Sequence, residues 1–173
     1  MQKHILNVLV ENSPGVLARI VGHISGRGYN IETLNVGPTT DPSISKMTIG
    51  ISGEPEVIVQ VVAQLAKQIN VFSVVDVTAK PHIDREALLV KVSTRATGRA
   101  PVIEVAMLFG AKVLGVPPDS LTIQMVGSQM QVGQFLTLLQ PFDVLDISRS
   151  GSIAMAQDSA LVLLRLSKAQ QLY

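Results

Sequence analysis

Four consecutive residues at a predicted turn, Asn12-Ser13-Pro14-Gly15, have the types and order of a carboxylate-binding site. Ser13 is predicted to cap the helix that follows, and Pro14 fits its first position because an N–H there would lack a partner. The N–H groups of Gly15 and Val16 would then point outward, with the positive end of the helix dipole behind them. Gly15 has no Cβ, so a small ligand could approach its backbone closely.

A second asparagine, Asn30, follows the same predicted helix in the segment Gly-Tyr-Asn-Ile at 28–31. Asn12 or Asn30 taken singly has an ordinary explanation, because asparagine is common where the backbone turns. The two together, with Pro14-Gly15 at a strand-to-helix turn, favour a binding site. The pattern predicts an amino-acid sensor rather than a catalyst.

Little else in the sequence could carry catalysis. The chain has no cysteine, which excludes disulfides, thiolate zinc ligands and cysteine nucleophiles. His4, His23 and His82 lie far apart, without the spacing of a metal-binding pair. Glu11 and Glu32 are the carboxylates nearest the predicted turn. Without a histidine, lysine or metal beside them, they do not predict acid–base chemistry.

The composition is that of a globular protein of one large or two small domains. Of its 173 residues, 47% are hydrophobic and 16% are charged, and the net charge is +1. This balance predicts an aliphatic core and gives no sign of a nucleic-acid or membrane surface. No apolar segment approaches the roughly 20 residues that cross a bilayer. Strand-like sequence begins at His4, leaving no room for a signal peptide, so we expect a cytoplasmic protein.

The hydrophobic pattern predicts the order β-α-β-β-α-β in the first half of the chain. Predicted strands span residues 4–10, 31–36, 47–51 and 71–77. One helix begins at Pro14, and a second begins at Pro55 with an apolar face that extends to Ile69. This order is the split βαβ arrangement of ferredoxin-like folds.

The same order repeats in the second half. Predicted strands span residues 87–92, 112–116, 121–126 and 144–147, with helices beginning at Pro101 and after Ser128. Ser128 and Gln131 form a capping-box pattern. We therefore predict an α+β protein of two tandem ferredoxin-like domains, at 1–78 and 85–156, joined by a linker at 79–84. The tail at 157–173, with an apolar run at 161–164, is either a docked helix or a segment that orders with a partner.

The loop Arg-Ala-Thr-Gly-Arg at 95–99 has two interpretations. Two arginines around Gly98 could hold an anion such as a nucleotide phosphate. The alternative, an exposed loop before a helix, is favoured.

Several segments resemble a known family. The first half contains NSPGVLAR at 12–19, RGYNIETL at 27–34, Asp-Pro at 41–42 and SKMT at 45–48. It is similar to an ACT domain, a small-molecule sensing module, and more specifically to that of the regulatory (small) subunits of acetohydroxyacid synthase, also called acetolactate synthase. REALLVKV at 85–92, DSLT at 119–122 and SRSG at 148–151 resemble the C-terminal domain of the same family. The resemblance covers about residues 3–156.

The resemblance implies a subunit without catalytic activity. Members of this family dimerise through their ACT domains into a continuous sheet and bind a separate catalytic (large) subunit. They activate that subunit and confer feedback inhibition by branched-chain amino acids, usually valine. Thiamine diphosphate, Mg and FAD are expected in the catalytic partner, and no cofactor is expected in this chain.

The resemblance also assigns an effector site at the interface of two ACT domains. Asn12, Gly15 and Val16 would hold the carboxylate end of the effector, and Asn30 and Ile31 of the partner protomer would close the site. The predicted effector-binding residues are Asn12, Pro14, Gly15, Val16, Leu17, Asn30 and Ile31.

Other functions remain open on the sequence alone. A stand-alone ACT-type sensor that regulates another enzyme would share the same site. A DNA-binding regulator needs a helix-turn-helix or a basic recognition helix, and the sequence predicts neither. A small hydrolase such as acylphosphatase needs a glycine-rich loop with an arginine after the first strand, and residues 11–16 contain no arginine. Fold alone does not decide between these functions.

Overall fold

The computed structural model describes residues 2–157 and confirms two successive β-α-β-β-α-β arrangements. The first consists of β1 (Gln2–Glu11), α1 (Val16–Ser25), β2 (Ile31–Pro38), β3 (Ile44–Gly53), α2 (Pro55–Leu65) and β4 (Val71–Asp76). The second consists of β5 (His82–Ser93), α3 (Ala100–Leu108), β6 (Lys112–Gly115), β7 (Ser120–Gly127), α4 (Gln129–Leu139) and β8 (Val144–Ala156). The predicted structures for the tail beyond Gln157, including the apolar run at 161–164, lie outside the described residues.

The first sheet has the strand order β2-β3-β1-β4, with β1 antiparallel to both of its neighbours. Alternate residues of β1 and β3 are buried against the helices, because successive side chains of a strand point to opposite faces. The register pairs Leu6 with Ile49 and Val8 with Met47. The helices contribute their buried faces to this core: Val16, Ile20 and Ile24 from α1, and Ile58, Val61 and Leu65 from α2.

The second sheet has the order β6-β7-β5-β8 and its own core. Phe109 and Phe135 pack in it with ring centroids 5.3 Å apart and planes tilted by 60°. The predicted capping box at the start of α4 is confirmed. The N–H of Gln131 donates to the Ser128 hydroxyl at 3.2 Å, and the N–H of Ser128 donates to Oε1 of Gln131 at 2.9 Å.

The contacts divide the described chain into two compact units, one formed by residues 2–83 and 153–157 and the other by residues 84–152. Both β5 and β8 cross this division. They run antiparallel, since the N–H of Ser93 donates to the carbonyl of Asp143 and the N–H of Gln157 donates to that of Pro81. β5 begins at His82, inside the segment 79–84 that the sequence predicts as a linker.

The predicted ends of β8 and α2 are wrong. β8 does not stop at residue 147 but continues to Ala156. This added part contains Gly151, which has φ +73°, and Arg149, which forms an ion pair with Glu86. α2 ends at Leu65, and Ile69 is 91% exposed rather than part of its buried face. Short-range bonds, from the N–H of residue 67 to the carbonyl of 64 and from 68 to 65, tighten the chain into turns there.

Candidate functional site

The turn between β1 and α1 has a different geometry from the one predicted. α1 begins at Val16, and its N-cap is Gly15 with φ +84°, a left-handed conformation that favours glycine. The predicted capping by Ser13 is therefore wrong, and Pro14 lies in the turn rather than in the first helical turn. The Ser13 carbonyl accepts a long bond of 3.4 Å from the N–H of Val16. Gly15, in its left-handed conformation, turns the backbone before the helix starts. The Ser-Pro pattern does not predict this turn.

The start of α1 nevertheless presents free donors. In residues 2–157, the N–H groups of Gly15, Leu17 and Ala18 have no hydrogen-bond acceptor, and the first helical bond runs from Arg19 to the Gly15 carbonyl at 3.0 Å. A Cβ built on Gly15 would meet nothing within 4 Å. The first turn also contains no acidic residue to neutralise the helix dipole. An anion therefore has both donors and space at this end of α1.

Asn12 is tied to the loop between β2 and β3. Its N–H donates to the Ser43 carbonyl at 2.7 Å, and its Nδ2 donates to the Pro42 carbonyl at 2.8 Å. Asp41 shapes the same loop by accepting bonds from the Ser43 hydroxyl at 2.7 Å and the Ser43 N–H at 2.9 Å. These bonds lower the pKa of Asp41. The exposed Asn12 side chain keeps its Oδ1 and one amide hydrogen available to a ligand.

Asn30 and Ile31 lie at the opposite end of α1. The helix has ten residues, so about 15 Å of helix separates the two groups. Asn30 is exposed, and no hydrogen bond of its side chain is found in the described part of the chain. Ile31 is half-buried against the first core and pairs with Ile51 on β3. One chain therefore brings together Asn12, Pro14, Gly15, Val16 and Leu17, but not Asn30 and Ile31.

The sequence does not predict the hydrogen-bond network beside the turn, which joins Glu11, Asn70 and Arg19. Glu11 is exposed, and its carboxylate accepts a bond from the Asn70 amide. The Asn70 Oδ1 in turn accepts from the Arg19 guanidinium, and the Glu11 N–H donates to the Asn70 carbonyl at 2.9 Å. Asn70 is 59 positions from Glu11 and 51 from Arg19, so no local pattern indicates the contact.

The histidines each have an ordinary partner. Nδ1 of His4 lies 2.8 Å from Oδ2 of Asp76, and the His82 ring donates to the Lys80 carbonyl at 2.8 Å. His23 contacts the side chains of Gln68 and Arg27. Across residues 2–157, no three histidine or carboxylate side chains cluster as metal ligands. No helix in that span is both long and apolar enough to cross a bilayer.

The loop at 95–99 holds its arginines in internal contacts. Arg95 forms an ion pair of 3.0 Å with Asp119, and Arg99 donates to the carbonyls of Pro117 and Pro118 at 3.1 Å. These contacts fasten the loop to the turn between β6 and β7, which favours the structural interpretation over an anion site.

Comparisons with known proteins match both halves of the chain. Residues 6–73 match the model of the AHAS small subunit-like ACT domain, and residues 85–158 match that of the small subunit of acetolactate synthase. The acetolactate synthase small subunit of Aquifex aeolicus is 41% identical over 162 residues, covering 93% of this chain and 84% of that protein. That of Haemophilus influenzae is 38% identical over 162 residues, covering 93% and 99%.

A solved structure agrees with these matches. The crystal structure of the acetolactate synthase small subunit from Thermotoga maritima superposes with a TM-score of 0.81 at 26% sequence identity, covering 92% of this chain and all of that one. The family models and the relatives together span both units. The chain therefore belongs to the acetolactate synthase small-subunit family.

Proposed function

We propose that this chain activates the catalytic subunit of acetolactate synthase and makes it sensitive to feedback inhibition by valine or another branched-chain amino acid. Membership of the small-subunit family gives it a regulatory role in the holoenzyme. The start of α1 supports the amino-acid part of the proposal: three of its N–H groups have no acceptor within residues 2–157, and Asn12 lies three residues before the N-cap Gly15.

The chemistry of the turn suits a short aliphatic amino acid. A carboxylate would accept bonds from the N–H groups of Gly15, Leu17 and Ala18, helped by the helix dipole. The second amide hydrogen of Asn12, which the bond to Pro42 leaves unused, could donate a further bond to this carboxylate. Leu17, which is 44% exposed, offers apolar surface beside these donors for a branched side chain.

Two copies of the chain would complete the site. Asn30 and Ile31 lie a helix length away from Gly15 in one protomer, so they can close the site only from a second copy. β2 is an edge strand of the first sheet, and its free edge can pair with the β2 of a partner to form one continuous sheet. A ligand held between protomers has a different affinity for each of their relative orientations, which is the requirement for allosteric control.

The catalytic chemistry belongs to the partner in this proposal. The thiamine diphosphate, Mg and FAD of the holoenzyme are assigned to the catalytic subunit, and this chain contributes no catalytic residue. The proposed location is the cytoplasm.

Reconstitution tests the proposal directly. The chain is mixed with an acetolactate synthase catalytic subunit, and acetolactate formation is measured with and without valine, leucine and isoleucine. We expect turnover to rise several-fold on mixing, and valine to lower it only when this chain is present. Unchanged turnover in a mixture that forms a complex would contradict the activating role. Valine binding without any effect on turnover would instead favour a sensor that regulates another enzyme.

A further inference from the structure

The face of the first sheet that points away from the helices carries a hydrogen-bonded cluster. Residues next to the core positions Leu6 and Met47 must point to this face, because strand side chains alternate. Asn7 and Lys46 therefore lie there, and both bind the carbonyl of Ala154 on β8, with Asn7 Nδ2 at 3.0 Å and Lys46 Nζ at 3.1 Å. We call Asn7, Lys46 and Ala154 the Ala154 latch.

The latch is supported by a neighbouring residue, and its Asn7 and Lys46 side chains are half-buried. Thr48, the β3 residue that faces Asn7 across the strand pair, donates its hydroxyl to the Asn7 Oδ1 at 3.2 Å. Ala154 and Thr48 are both buried. The Asn7 carboxamide thus binds one neighbour through its oxygen and another through its nitrogen, which fixes its orientation. The Ala154 carbonyl receives two donors from two different strands of the first sheet.

A lysine at position 46 has a cost in folding free energy. Its side chain is half-buried, and this burial lowers the pKa of its ammonium group. Among the residues described, the ammonium has one hydrogen-bond acceptor, the Ala154 carbonyl, although it carries three donors. Removing a charge from water without a counter-charge is unfavourable, and an apolar side chain of the same length would avoid that cost. Within residues 2–157, two of the three Lys46 donors therefore have no acceptor.

Lys46 is connected to the proposed effector site through a short path. Asn12 binds the carbonyls of Pro42 and Ser43 in the loop that leads into β3. Lys46 follows Ser43 by three residues, and Ser45 between them is buried. A ligand that moves the Asn12 side chain would move this loop and, with it, the start of β3.

We propose that Lys46 is a positioning residue for feedback inhibition. When an effector occupies the Asn12 site, the hydrogen bond from Lys46 to the Ala154 carbonyl changes, and this change acts on β8. This inference rests on the proposed function and adds the residue that couples the effector to the rest of the chain. β8 continues as one strand from Ala154 back to Arg149 and beyond. A change in the Lys46 bond therefore acts on a strand that extends well past the effector-binding unit. Coupling of this kind requires only that the latch has different strengths with and without effector.

The test separates valine binding from valine inhibition. Lys46→Met removes the charge and the donor but keeps the length of the side chain. Lys46→Arg keeps the charge and the donor. Lys91→Met is the matched control, since Lys91 is an exposed strand lysine whose side chain binds no acceptor in the described chain. Each variant is reconstituted with the catalytic subunit. Valine affinity is measured by calorimetry, and inhibition by acetolactate formation.

We expect Lys46→Met to bind valine within about threefold of the wild-type affinity and to activate the catalytic subunit normally. The variant should lose at least half of the maximal valine inhibition. Typical allosteric couplings of about 5- to 150-fold make such a loss easy to detect. Lys46→Arg and Lys91→Met should be inhibited like the wild type. Asn7→Ala, which removes the other latch donor, should show the same pattern as Lys46→Met and serves in its place if that variant does not fold.

Two results would overturn the inference. Full valine inhibition in Lys46→Met, or in Asn7→Ala when it stands in, would show that the latch does not carry the coupling. Loss of valine binding in either variant would make the latch part of the effector site instead. If the wild-type chain itself binds no branched-chain amino acid, the proposed function fails, and that failure is visible before any variant is compared.

Discussion

The carboxamide nitrogen of Asn12 lies 2.8 Å from the carbonyl oxygen of Pro42 and donates a hydrogen bond to it. This bond joins the end of β1 to the loop between β2 and β3, 30 residues later in the chain. Asn12 therefore has a structural role that is independent of any ligand. Substitutions at Asn12 must be designed to separate that role from effector recognition.

Asn12→Asp and Asn12→Ala make this separation. Both remove the bond to Pro42, but only the aspartate adds a negative charge beside the proposed carboxylate position. We expect the valine Kd of Asn12→Asp to exceed that of Asn12→Ala by about tenfold, equivalent to about 1.4 kcal/mol. Calorimetry on the two variants measures the difference. Equal affinities would mean that Asn12 acts through the loop alone.

Gly15→Asp should abolish valine inhibition and leave activation largely intact. The left-handed backbone at φ +84° strains any side chain, so loss of inhibition in this variant alone is ambiguous. Gly15→Asn is the control, because asparagine has nearly the same size and tolerates this conformation equally well but carries no charge. Valine titrations of the reconstituted enzyme should show inhibition retained in part by the asparagine variant. Unchanged sensitivity in Gly15→Asp would refute the site assignment.

Mixing two inactive variants tests whether the site spans two protomers. A Gly15→Asp chain still supplies Asn30, and an Asn30→Ala chain still supplies Gly15. Neither homodimer should bind valine tightly, whereas subunit exchange should restore about a quarter of the sites, the share expected from random pairing of two-fold dimers. Calorimetric stoichiometry before and after exchange measures the recovery. No recovery after confirmed exchange would place the whole site within one chain.

Breaking the ion pair between Glu86 and Arg149 should destabilise the second unit. Arg149 donates two bonds of 2.7 and 2.8 Å to the Glu86 carboxylate, which is fully buried, while Arg149 is 44% exposed. These hydrogen bonds raise the pKa of Arg149. We expect Arg149→Met to lower the free energy of unfolding by about 3–5 kcal/mol, because it leaves a buried carboxylate without a partner.

Urea unfolding and hydrogen exchange of β5 and β8 peptides measure that loss. The double variant Glu86→Leu/Arg149→Met should recover part of it, since it buries no charge. A loss below about 1 kcal/mol in Arg149→Met would show that water reaches Glu86 when the arginine is removed.

Asp76 should make the first unit sensitive to acid. Burial raises the pKa of Asp76, but the hydrogen bonds from Thr78 and His4 outweigh it, so its pKa in the folded protein lies below the ordinary 3.8. A carboxyl with a depressed folded pKa contributes stability above its unfolded pKa and loses it as the pH falls through the folded value. Asp76→Asn should therefore be less stable than the wild type at neutral pH, and the difference should shrink below about pH 3.8. Thermal unfolding across this range checks it. A stability difference between Asp76→Asn and the wild type that stays constant across this pH range would contradict a lowered pKa of Asp76.

The sequence predicts those features whose causes are local. The capping box at Ser128 needs only Gln131, three positions later, and both of its bonds are present. The order of strands and helices is correct because side-chain periodicity is set within each element. The start of α1 is predicted wrongly because Ser13-Pro14 is compatible with two backbone paths. The choice between them depends on the φ angle of Gly15.

Features that depend on distant residues are missed. The sequence predicts that β8 ends before the polar run at 148–152, but Glu86, 63 positions before Arg149, pairs with that residue within the continuing strand. The hydrogen bond of Lys46 is to the carbonyl of Ala154, 108 positions later. Asn12 and Gly15 share the turn between β1 and α1. Asn30 lies at the other end of α1, and in the proposed dimer it would reach the turn of a second molecule.

The first unit is discontinuous in the chain, and this affects its synthesis. Residues 153–157 complete it, but they are translated only after the whole of residues 84–152. At roughly 5–20 residues per second, the nascent first sheet waits about 4–14 s for the strand that supplies the Ala154 carbonyl. During that interval the face that carries Asn7 and Lys46 is not yet covered by β8. A gene fragment that stops before residue 153 would leave it uncovered permanently.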